Sequence, residues 1–172
     1  MRRSELEHVI RAAGAIAEAP VLVILGSQAI LGRYPTAPEA LLASREVDLY
    51  PLEAPQRADL IDGSIGELSP FHDEFGYYAH GVGPETAVLP AAWRSRLVAV
   101  SNENTSGVTG LCLHPADLAV SKLVAGRDKD LAFVRTLLSH GLVSETEIRN
   151  LLVELPPEHA AQAAAALAHC RR

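Results

Sequence analysis

The chain has 172 residues, 48% hydrophobic and 21% charged, with a net charge of −6. That length supports one domain with a proper core. No apolar run is long enough to span a bilayer, and the acidic balance argues against constitutive nucleic-acid binding, whose usual footprint is a basic face. Two cysteines, Cys112 and Cys170, form neither a disulfide framework nor a zinc-ligand spacing. Glu5, Glu7 and Arg11 interrupt what a signal peptide would need as an apolar core, so a cytoplasmic location is expected.

In chain order, Ser4 to Ala17 reads as a helix, with Ser4 and Glu7 as a capping box and Val9, Ile10, Ala13 and Ile16 as its apolar stripe. Pro20 ends it and launches a strand, Val21 to Leu25. Gly26-Ser27 then make a tight turn into a short helical stretch, and the GRYPTAP loop follows. Glu46 to Tyr50 is a second strand, and Ala54 to Ile61 a helix. ELSPFHDEFG is a loop or helical turn, and Phe75 to Val82 a third strand with His80 on the face opposite Phe75, Tyr77 and Ala79. Leu97 to Val100 and Gly107 to Leu113 are further strands. After His114 the pattern is helical: one helix opened by Pro115, then Asp128 to Ser139, Ser144 to Leu155 with Ser144 and Glu147 as a capping box, and an alanine-rich Glu158 to His169. The expected class is α+β: a small mixed β-sheet core over residues 1–113 and a helical bundle over 114–172 packed as a single compact unit. The alanine-rich last helix offers a surface for a homodimer.

The stretch from Val21 to Pro51 carries the chemistry. Residues i and i+2 of a strand share a face. Glu46 and Asp48 therefore project together, while Val47 and Leu49 turn into the core. Two hard carboxylates side by side suit Mg²⁺ or Mn²⁺, which leave coordination positions for substrate phosphates. A Gly-Ser turn opening a helix suits an anion, because free backbone N–H groups meet there.

Hydrophobic strand, Gly-Ser, spacer, then acid-hydrophobe-acid-hydrophobe resembles the polymerase-β-like minimal nucleotidyltransferase superfamily. Within it the pattern is similar to the AbiEii-type and MenT-type toxins of toxin–antitoxin systems. A second stretch, HPADLAVSKLVAGRDKDLAFV, with Asp117, Lys122, Arg127 and Asp130, resembles the second block of those families. The resemblance implies transfer of a nucleoside monophosphate from an NTP to an acceptor, with tRNA as the expected acceptor and an antitoxin protein as a partner. It implies Glu46 and Asp48 as metal ligands, Gly26 and Ser27 against the triphosphate, and Lys122 and Arg127 as cations on the phosphates. Asp130 would orient Lys122, take part in acceptor activation, or cap a local network.

This chain departs from the family pattern in three ways. Its first acid is Glu46 rather than aspartate. Its spacer from Ser27 to Glu46 is long. The third strand offers His80 where many relatives carry a third carboxylate, with Asp73 or Glu74 as substitutes from the preceding segment. Alternatives that remain are an enzyme of the same fold acting on a small molecule or protein hydroxyl, and a catalytically degenerate interaction or antitoxin-type module.

Overall fold

The computed structural model describes residues 1–170. The described residues form two compact units: Met1–Thr86 with Leu97–Leu113, and Ala87–Arg96 with residues 114–170. The architecture is α+β, a small mixed sheet followed by a C-terminal run of helices.

In the first unit, helix α1 (Arg3–Ile16) is followed by strand β1 (Val21–Ile24), a 3-10 turn at Ser27–Ala29, the short helix α2 (Ile30–Arg33) and strand β2 (Glu46–Pro51). Helices α3 (Ala58–Ile65) and α4 (Pro70–Phe75) lead to strand β3 (Tyr78–Gly81), and strands β4 (Val98–Val100) and β5 (Thr109–Cys112) complete the sheet in the order β3-β2-β1-β5-β4. β1 is antiparallel to β2 and parallel to β5, β2 is parallel to β3, and β4 is antiparallel to β5. Parallel β2–β3 pairing needs a long crossover, which α3 and α4 supply. Leu22, Val23 and Ile24 are fully buried, as a central strand covered on both faces requires. Leu6, Val9, Ile10 and Ala13 of α1 are also fully buried; each large side chain of this kind contributes about 1.5–3 kcal/mol.

Two local readings of the sequence are corrected here. The first helix starts at Arg3, with Arg2 as its N-cap and Glu5, not Glu7, returning to the Arg2 N–H at 2.7 Å. Glu7 is instead buried, accepting hydrogen bonds from Arg3, Asn102 and Asn104. The third strand begins at Tyr78 rather than Phe75. Ser69 caps α4 through the His72 N–H, Pro70 occupies its first position, and Gly76, at φ 73°, ends it in the left-handed conformation. Phe75 therefore lies on the helix, against His8, Phe71 and Tyr77.

In the second unit, α5 (Pro115–Ala125) packs against α6 (Asp128–Ser139), α7 (Glu145–Leu152) and α8 (Pro157–His169). The Ser144–Glu147 capping box forms as the sequence predicts. The 87–96 segment is tied down by Arg96, which donates to Asp117 at 2.7 and 2.9 Å and to Glu154 at 3.2 Å. Asp117 is fully buried, and that guanidinium is its counter-charge. No helix among the described residues is long and apolar enough to cross a membrane.

Candidate metal centre

Strand alternation does what the sequence predicts. Val47 and Leu49 are fully buried, and Glu46 and Asp48 project together from the other face of β2. The parallel register sets Tyr78 beside Glu46 and His80 beside Asp48, so four polar side chains share one face across two strands. His80 Nδ1 lies 3.0 Å from Asp48 Oδ1 and 3.7 Å from Glu46 Oε1. Tyr78 donates its hydroxyl to Glu46 Oε2 at 3.0 Å.

The turn after β1 completes the arrangement. The Leu25 N–H donates to the Asp48 carbonyl, extending the β1–β2 ladder by one bond. Gly26 then lies directly against the Asp48 side chain: a Cβ built at Gly26 would stand 1.9 Å from Asp48 Oδ2. Gly26 is thus required by the carboxylate itself, a tighter reason than close approach to phosphate. Ser27 follows, half-buried, at the start of the 3-10 turn.

Electrostatics mark the cluster as short of positive charge. Burial, then the neighbouring Glu46 carboxylate, push the Asp48 carboxyl up to about 6 despite the opposing pull of His80. Burial works against charge on His80, but Asp48, Glu46 and Asp62 outweigh it and raise its pKa. Burial and the bond to Glu46 push the Tyr78 hydroxyl up to about 12, so it remains a donor at neutral pH. One ligand atom each from Glu46, Asp48 and His80 lies within 4.8 Å of the others. Two carboxylates crowded together with an imidazole alongside fit a divalent cation such as Mg²⁺ or Mn²⁺, whose charge would relieve the repulsion that raises Asp48.

Among the described residues this is the cluster of three or more acidic, histidine or cysteine side chains placed to hold a metal, and it contains His80 but neither Asp73 nor Glu74. Both of those are exposed on α4. Sequence reasoning missed Tyr78 and Asp62. The alternation that picked out His80 also put Tyr78 on its face, so that signal was present. Asp62, which accepts from the Gly81 N–H at 3.3 Å, carried none.

Lys122, Arg127 and Asp130 come together within the second unit. Gly126, at φ 67°, ends α5 and turns the chain so that α6 presents Asp130 back to Lys122. Asp130 is 1% exposed and binds Lys122 Nζ at 3.1 Å and Arg127 Nε at 2.6 Å. Lys122 also lies over the Phe133 ring at 4.6 Å. Burial works against the Asp130 carboxylate, yet the two cations hold its pKa below the usual range. Asp130 is therefore the shared ion-pair partner of Lys122 and Arg127. Lys129, on the same helix, is exposed.

A small mixed sheet sets paired carboxylates against a glycine turn, with helices following in sequence, and the carboxylates form a candidate metal-coordinating cluster of the kind that the resemblance to nucleotidyltransferases implies. Comparison with protein families agrees: residues 4–159 match the model described as "Nucleotidyltransferase of unknown function (DUF6036)", and the chain belongs to that family. No curated protein and no solved structure matches it.

Proposed function

We propose that the protein is a divalent-metal-dependent nucleotidyltransferase that moves a nucleoside monophosphate from an NTP to an RNA acceptor, tRNA above all, as the toxin of a toxin–antitoxin pair. The observation that carries the transferase reading is the convergence of Glu46, Asp48 and His80 beside Gly26 in a chain of this family. Glu46 and Asp48 would hold Mg²⁺ or Mn²⁺, with His80 as the third ligand. When bound, the metal supplies charge neutralisation on the phosphates and helps to align them for displacement. Ser27 offers its hydroxyl and N–H to the triphosphate. Lys122 and Arg127 take the part of phosphate counter-charges on the strength of the family resemblance, with Asp130 holding both cations in place. The tRNA acceptor, the toxin role and a cytoplasmic antitoxin partner rest on the resemblance to AbiEii-type and MenT-type proteins.

A second reading is favoured by the net charge of −6: the acceptor is a small molecule or a protein hydroxyl, which needs no extended basic surface. Incubation with Mg²⁺ and each labelled NTP, with and without total tRNA, separates the two. Label on tRNA that vanishes in Asp48→Ala supports the first reading. Label on protein or a small acceptor supports the second. Absence of any NTP-dependent product with folded protein refutes both.

A further inference from the structure

We infer that Tyr78 is a positioning residue for Glu46, and that Leu68 and His72 hold Tyr78 in place to do it. This rests on the reading of Glu46 and Asp48 as metal ligands.

The two oxygens of Glu46 are differently engaged. Oε2 accepts from the Tyr78 hydroxyl at 3.0 Å, whereas Oε1 faces His80 Nδ1 at 3.7 Å. One oxygen is tethered and the other is turned toward the cluster. Glutamate has one more rotatable bond than aspartate, so an untethered Glu46 has more freedom to lose on binding a cation. A hydroxyl fixing the outer oxygen removes part of that freedom in advance. Outer hydrogen bonds of this kind commonly set the orientation of ligating carboxylates.

Tyr78 is itself constrained from outside the sheet. The His72 ring lies against the Tyr78 ring, centroids 4.6 Å apart. His72 Nδ1 in turn accepts the Leu68 N–H at 3.1 Å, which places the ring proton on Nε2. Leu68 adopts φ 63° while the residue is 83% exposed. A branched residue in the left-handed region is costly, and no burial repays Leu68 for it. The Ser69 N–H closes the turn on the Gly66 carbonyl at 3.2 Å, and the bond to His72 and the Ser69 cap on the His72 N–H tie that turn to α4. A surface turn, a tilted ring contact and a hydroxyl thus form one continuous chain ending on Glu46, all within the first unit.

The test is calorimetric titration of MnCl₂ into wild-type protein and the Tyr78→Phe, His72→Ala and His72→Phe variants, with melting temperatures of the metal-free proteins. Tyr78→Phe keeps the ring and loses the tether, so the Mn²⁺ dissociation constant should rise about tenfold or more with the melting temperature little changed. His72→Ala should weaken binding in the same direction, and His72→Phe, which keeps the ring contact but loses the Leu68 bond, should recover part of it. In a transfer assay, Tyr78→Phe should raise the metal concentration needed for half-maximal rate more than it lowers the rate at saturating metal. Wild-type affinity in both Tyr78→Phe and His72→Ala overturns the inference and leaves the metal-site reading intact. Failure of the wild-type protein itself to bind Mn²⁺ overturns both. If Tyr78→Phe does not fold, unchanged binding in His72→Ala is sufficient to reject the inference.

Discussion

Asp48→Asn should make the metal-free protein more stable at neutral pH while removing its chemistry. The Asp48 carboxyl titrates at about 6 in the fold against 3.8 for an ordinary aspartate. Between those values the folded state holds a proton that the unfolded state has lost. Stability contributed by the protonated group is therefore complete below pH 3.8, falls as pH rises, and is gone above about 6. The span corresponds to about 3 kcal/mol at 1.36 kcal/mol per pKa unit. Asparagine recovers part of it, because it removes the repulsion with Glu46 but also weakens the contact with His80. A gain of about 1–2 kcal/mol at pH 7.5 is expected, or roughly 3–6 °C in melting temperature for a chain of this size. Thermal melts of both proteins in chelator from pH 4 to 8 measure it: the curves should meet at the acid end and separate as pH rises. Excess Mg²⁺ should reverse the order, since a ligand at a hundred times its dissociation constant adds about 2.7 kcal/mol to the wild type alone. An Asp48→Asn protein no more stable than wild type at pH 7.5, or a difference that ignores pH, would refute the argument that this carboxylate is held against its electrostatic preference.

The remaining expectations concern other supports of the two units. Gly26→Ala puts a methyl 1.9 Å from Asp48 Oδ2, so the carboxylate must move; Mn²⁺ binding measured by calorimetry should be lost, with a stability cost of about 1–3 kcal/mol. Asp130→Ala leaves Lys122 only 12% exposed without its carboxylate and should cost about 3 kcal/mol in urea unfolding at pH 7. Because the Asp130 pKa is depressed, its contribution is present at neutral pH and lost as pH falls below the carboxylate range, so the gap between variant and wild type should close in acid. Arg96→Met strands the fully buried Asp117 and should cost about 3–5 kcal/mol. Adding Asp117→Leu should return much of that stability; a double variant no better than the single would show that the pair is not energetically coupled.

Much of the site was legible because it is local. The period of two along Glu46-Val47-Asp48-Leu49 needs only a strand to put the acids together, and the burial of Val47 and Leu49 follows from the same alternation. The Ser144–Glu147 cap and the α6 boundaries were readable for similar reasons. Asp130 was identified, but its burial between Lys122 and Arg127 depends on the left-handed turn at Gly126, where the angle between two helices decides what meets.

Chain order and local periodicity by themselves determined the α+β class, the two carboxylates and the glycine turn. Only tertiary structure decided which residues stand beside them. The parallel register of β2 with β3, set across the whole crossover from Pro51 to Tyr78, delivers Tyr78 to Glu46 and His80 to Asp48. A shift of one residue in that pairing would have turned both side chains to the opposite face without changing any local pattern. Likewise, the β1–β2 pairing that brings Gly26 onto Asp48 is a contact between distant segments, so the sequence announces the glycine but not the carboxylate that requires it.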